Sequence, residues 1–167
     1  MNWWPYEKFS IISPLNPEEV RLRLTEQVSP AFTGSFFEQL TNRYPTPFKG
    51  YVNIGEFKIE PVVVGRNSFI PLIKGRVEFA ETGSCLYITM AMHQEIEYII
   101  IGMAAFLMVA GFGGWIHSSM SDRSDPLSIT PFGMLVFIYL IMIYGFNSES
   151  NSCKSFLLEL LEGDYER

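Results

Sequence analysis

Tyr98–Ile116 (YIIIGMAAFLMVAGFGGWI) and Ile129–Phe146 (ITPFGMLVFIYLIMIYGF) are two runs without a single charged residue, separated by the polar stretch HSSMSDRSDPLS. At about 1.5 Å of rise per helical residue each run covers roughly 27–28 Å, close to the hydrocarbon thickness of a bilayer. A helix that is apolar on every side must be covered on every side. In a chain of 167 residues, a soluble core built around two such helices would consume most of the remainder. That remainder carries nearly all the charge and has strand-like and amphipathic patterning of its own. The pattern predicts a transmembrane helical hairpin inserted into a separate soluble unit.

The second run holds ten Ile, Leu, Val and Phe residues, each favouring insertion by roughly 0.3 to 0.6 kcal/mol at a helix centre. The first has fewer and contains Gly102, Gly111, Gly113 and Gly114, so it is the weaker inserter. Ala110 and Gly114 stand four apart, a spacing that lets a neighbouring backbone approach closely. Gly133 and Gly145 share a face of the second helix, with Phe137 and Ile141 between them. This stripe fits packing within the hairpin or self-association between subunits. Pro131 falls in the first turn of its helix, where the missing N–H costs little. Tyr98, Trp115, Tyr139 and Tyr144 are candidates for the headgroup level, where aromatic belts occur.

The opening MNWWPYEKF lacks the basic segment and apolar core of a secretory signal. Of the 12 Lys and Arg residues, nine precede the hairpin, one (Arg123) lies in its loop and two follow. For a hairpin integral to the membrane, the positive-inside bias therefore predicts that both termini are cytoplasmic. Cys85 and Cys153 form no evident disulfide framework and suit a reducing compartment. With 18 acidic residues against 12 basic ones and no basic cluster, the chain is not expected to bind nucleic acid.

Residues 1–94 are expected to form a soluble α+β domain, 95–147 the hairpin, and 148–167 a C-terminal amphipathic helix that returns to the soluble domain. Glu7–Ser13 reads as an opening strand. A helix starts at Asn16, with Pro17 at its first position and Glu19 completing a capping box; Leu15 and Val20 are placed as a hydrophobic staple. Val20, Leu24 and Val28 give it one buried face, and Ser29-Pro30 ends it. Residues 31–47 fit a short helix or an irregular strand. From Phe48 to His93 the period is two, and about four strands are expected as an antiparallel meander. Phe48–Val52 and Glu56–Val64 flank the Asn53-Ile54-Gly55 turn. Phe69, Ile73, Val77 and Phe79 share one face of the next strand, and Lys74, Arg76 and Glu78 the other. Leu86, Ile88, Met90 and Met92 line one face of the last. After the hairpin, Phe156, Leu157, Leu160 and Leu161 make an apolar stripe that Ser150 or Ser152 caps and Gly163 ends.

The segment Arg66–His93, RNSFIPLIKGRVEFAETGSCLYITMAMH, resembles part of a family of small, uncharacterised bacterial membrane proteins. The shared features are the Arg-Asn-Ser-Phe-aliphatic-Pro run, a following Gly and a strand ending in His before the membrane. The opening PYEKFSI with SPLNPEEV is similar as well. The resemblance implies the architecture above, in an integral protein of a bacterial inner membrane, and brings no activity, cofactor or partner. The acidic QEIEY after His93 departs from it.

Chemistry-bearing residues are few. There is no C-x-x-C, H-E-x-x-H, P-loop or G-x-S-x-G motif, and Cys85 has no nearby histidine in sequence to act as a base. His93 and His117 bracket the first span, too far apart to share a metal within one subunit. Glu95 and Glu97 follow His93 and offer it a carboxylate partner at the membrane surface. Arg66-Asn67-Ser68 reads as a turn whose Arg66 pairs with Glu60 or Glu78, or holds an anion with its planar guanidinium. Arg66, Asn67, Ser68 and His93 are thus the candidate ligand-binding residues, with no cofactor or metal expected. Trp3, Trp4 and Tyr6 either pack under the sheet or enter the headgroup layer. The expected function is a non-enzymatic, membrane-anchored module with a cytoplasmic protein- or ligand-binding face, a sensor or accessory subunit in contact with the lipid bilayer. The alternatives are an immunity-type inhibitor of a toxin or pore former and, third, an enzyme acting on lipid.

Overall fold

The computed structural model describes residues 3–30, 45–62, 69–80, 83–120 and 130–165. The elements among them are β1 (Tyr6–Ser13), α1 (Pro17–Gln27), β2 (Val28–Pro30), β3 (Phe48–Val52), β4 (Glu56–Pro61), β5 (Leu72–Ala80), β6 (Gly83–Ala91), α2 (Gln94–Met120), α3 (Thr130–Leu160) and β7 (Asp164–Tyr165). The class is α+β, with one seven-stranded sheet in the order β2-β3-β4-β5-β6-β1-β7. The expected meander is its centre, β3 to β6. The sheet outgrows it because β1 returns to pair with β6, Ile11 opposite Leu86 and Phe9 opposite Ile88. It is also mixed rather than purely antiparallel, since β2 runs parallel to β3. Val28, expected on the helix, is the first residue of β2 instead.

Local chemistry explains the turns. The capping box at Asn16 forms as expected: Asn16 Oδ1 accepts from the Glu19 N–H at 2.9 Å, and Glu19 accepts from the Asn16 N–H. The three-residue turn after β3 closes with Asn53 N–H donating to Glu56 O at 2.8 Å, and Gly55 takes the positive φ of 80° that this loop requires.

One face of the sheet is sealed. Ile11, Phe48, Phe57, Ile59, Ile73, Leu86, Ile88 and Met90 are buried there beneath Val20 and Leu24 of α1 and Phe146, Cys153, Leu157 and Leu161 at the end of the chain. Phe79, expected to share this face with Ile73, is 86% exposed. It sits near the β5–β6 turn, beyond the reach of either covering helix.

The expected separate C-terminal helix is the continuation of the second apolar one. α3 runs unbroken over 31 residues. The Asn- and Ser-rich stretch that reads as a cap bonds back along the helix instead: Asn147 Nδ2 donates to Ile143 O, Ser152 Oγ to Ser148 O and Ser155 Oγ to Asn151 O. The helix ends in a Schellman motif. Gly163 N–H donates to Leu158 O and Glu162 N–H to Glu159 O, so Glu162, and not Gly163, takes the left-handed conformation, with φ 49°.

α2 and α3 are both long and apolar enough to cross a membrane. Only 6% of the most apolar window of α2, and 17% of that of α3, is covered by the rest of the chain. A soluble core helix would be covered almost completely. The two helices pack through Phe132, whose ring lies over Gly111 and meets Phe112 edge-on at 5.6 Å. Of the residues expected to pack closely, Ala110 is exposed, Gly133 faces open space and Gly145 packs on Phe69.

In the core, the Phe57 ring covers the bare backbone of Gly75, its partner across β4 and β5. A Cβ at position 75 would lie 2.1 Å from that ring. Gly75→Val is expected to displace Phe57 and destabilise the fold by about 1–3 kcal/mol, the usual cost of overpacking, read as a lower thermal midpoint in mild detergent.

Candidate functional site

Among the described residues, no helix covers the opposite face of the same sheet. Strand alternation sends every second side chain there, and the pairing aligns these side chains in rows across strands. One row reads Tyr51, Lys58, Lys74, Thr89, Lys8 across β3, β4, β5, β6 and β1. The next reads Glu56, Arg76, Tyr87, Ser10. Their β3–β6 members floor a shallow depression of about 690 Å³ that reaches Glu78, with Lys8 and Ser10 of β1 beyond its lining.

The charge of this face is opposite to that of the chain. Lys8, Lys58, Lys74 and Arg76 face two carboxylates, Glu56 and Glu78, whereas the whole chain has net charge −6. Among the described residues, no carboxylate comes within ion-pair distance of any of these four cations. Lys58 and Lys74 stand directly opposite each other, an arrangement that destabilises a sheet. Hydrogen bonding to Tyr6 raises the Lys8 ammonium above the ordinary lysine range, and its nitrogen lies 5.6 Å from the Tyr6 ring centroid. Tyr51 and Tyr87, each about half exposed, add flat surfaces with a hydroxyl at the tip.

A second polar group borders the depression on the side nearest the helices. Glu60 bridges two partners, with Lys49 Nζ 3.3 Å from Oε2 and His93 Nε2 3.3 Å from Oε1. His93 is also the residue from which α2 starts, its carbonyl accepting from the Ile96 and Glu97 N–H groups. The carboxylate beside the imidazole is therefore Glu60, from a distant strand, and not Glu95 or Glu97, which project from the first turn of α2. Arg66, Asn67 and Ser68 lie outside the described residues. Of the four residues expected to bind a ligand, the structure places His93, at the edge of the basic depression.

Among the described residues no three His, Cys, Asp or Glu side chains come together as a metal site. Cys153 is buried in the core and Cys85 is partly covered. Comparison with protein-family models, with curated proteins and with solved structures gives no match. The geometry of the open face therefore carries the functional argument.

The sequence contained half of this site. Lys74, Arg76 and Glu78 were legible as one face of a strand. Their convergence with Lys58 and Lys8 depends on inter-strand register, which strand periodicity alone leaves open. If the cationic row is kept for binding rather than for folding, removing its repulsion should stabilise the protein. Lys74→Glu, placing a carboxylate opposite Lys58, is expected to raise stability by about 0.2–1 kcal/mol, measured by thermal unfolding at low salt.

Proposed function

We propose that the protein is a non-enzymatic, membrane-anchored binding module whose open sheet face receives an acidic segment of a partner protein. The observation that carries this reading is the unpaired row Lys58–Lys74 on an uncovered face of a net-acidic chain. Clustered unpaired cations attract an anionic partner over a Debye length and orient it. The flanking tyrosines supply the large, low-entropy contact area typical of interfaces. In this reading the two apolar helices cross the inner membrane of a bacterium and hold the sheet against its cytoplasmic surface. Both termini then share that side, as the distribution of Lys and Arg favours.

Two measurements test it. Fluorescence anisotropy of labelled poly-L-glutamate against the full chain in neutral-lipid nanodiscs should show saturable binding that weakens with salt. Lys58→Glu combined with Lys74→Glu should reduce it at least tenfold. Equal binding of poly-L-lysine or of a single-stranded oligonucleotide would contradict the reading. For orientation, a green fluorescent protein fused after residue 167 should fluoresce, and alkaline phosphatase inserted between the two apolar helices should be active. The reverse pattern would place the sheet on the other side of the membrane.

A further inference from the structure

Tyr139 stands within the apolar run of α3, and its hydroxyl donates to the carbonyl oxygen of Trp3. That bond fixes how far the N-terminal segment reaches along the helix. The Phe132–Gly111 contact sets the antiparallel register of α2 and α3. Counted with equal rise from there, Phe146 is level with the first turns of α2, around Tyr98. Tyr139 lies seven residues further along, about 10 Å from that level and just beyond Met142, Ile143 and Phe146, which are buried with the core of the sheet. Where α3 leaves the cover of the sheet for lipid, an unpartnered hydroxyl or carbonyl is disfavoured, and the Tyr139–Trp3 bond satisfies one of each.

The segment is clamped from a second direction. Met92 N–H donates to Pro5 O at 3.2 Å, two residues before α2 begins, and Tyr6 N–H donates to Trp4 O at 2.8 Å. Pro5 is buried, while Trp3 and Trp4 are 70% and 62% exposed. The indoles therefore do not pack under the sheet. The backbone that carries them lies beside α3 at Tyr139 and beside Met92, at the end of the helices where the sheet begins, and Tyr98 and Tyr144 are also exposed.

We infer that Trp3 and Trp4 form a third membrane-contacting element, seated at the headgroup–acyl boundary on the side of the bilayer that carries the sheet. The occupant of this exposed aromatic patch is phospholipid, because the patch continues the uncovered apolar surface of α2 and α3. An indole suits that layer, with an apolar body and one N–H donor. The inference rests on the reading of α2 and α3 as membrane spans.

The chain has three tryptophans, and the third, Trp115, lies towards the opposite end of α2. In phosphatidylcholine nanodiscs, Trp115→Phe leaves only the Trp3–Trp4 pair emitting. The combined Trp3→Phe and Trp4→Phe variant leaves only Trp115. The pair is expected to emit at blue-shifted wavelength, to lose most of its intensity in lipid brominated near the carboxyl end of the acyl chain, and to resist aqueous iodide. Quenching of the pair by iodide and not by brominated lipid, with Trp115 still quenched by brominated lipid, overturns the inference and leaves the spans intact. If brominated lipid leaves Trp115 bright as well, the spanning reading fails and this inference fails with it.

Discussion

Glu7 on β1 accepts hydrogen bonds from Ser150 and Lys154 of α3, and the rest of the architecture depends on that junction. The pair is largely buried, with side-chain exposures of 19% for Glu7 and 13% for Lys154. An ion taken out of water needs both a counter-charge and hydrogen bonds for its remaining lone pairs. Both are supplied here, and the Lys154 ammonium also lies over the Phe9 ring. The carboxylate thereby fixes the azimuth at which α3 meets the sheet. With that angle set, Phe146, Cys153 and Leu157 face the core, and the preceding turns of the same helix keep their apolar surface uncovered.

The two faces of the sheet consequently do different work. The sealed face buries its polar groups only where they are satisfied: Ser13 Oγ donates to Leu161 O and accepts from Leu15 N–H, and Ser84 Oγ donates to Leu15 O. These bonds tie β1, β6, the entry to α1 and the end of α3 into one corner. Arg23 adds a strap from α1, donating to Leu160 O and pairing with Glu162. Glu162, the residue paired with Arg23, is also the one at the left-handed position of the helix end. The open face carries the charge that such a packed layer excludes, with Lys58 and Lys74 held opposite each other by the register that buries Ile59 against Ile73.

What was legible in the sequence followed from local physics. The capping box at Asn16, the period-two alternation of β6 and the two charge-free runs each rest on neighbours a few residues apart, and each is found where expected. What was not legible depended on distant partners. The pairing of β1 with β6 joins residues some 75 positions apart, as with Ile11 and Leu86, and no local pattern encodes it. Residues 147–155 are rich in Ser and Asn, which serve equally as caps or as back-bonded helix residues. Packing of Ser150 and Cys153 against the sheet decided for the helix. The same holds for the candidate site. His93 was visible as a polar residue before a span, but its partner Glu60 comes from a strand more than thirty residues earlier.

α3 has neither proline nor glycine between Gly145 and Leu160, so no hinge separates the apolar part from the part docked on the sheet. Its length of about 46 Å makes it a stiff lever. A span that tilts to match a thinner or thicker bilayer must swing its attached domain through the same angle. In the proposed membrane-spanning arrangement, the distance of the cationic row from the lipid surface is therefore geared to membrane thickness.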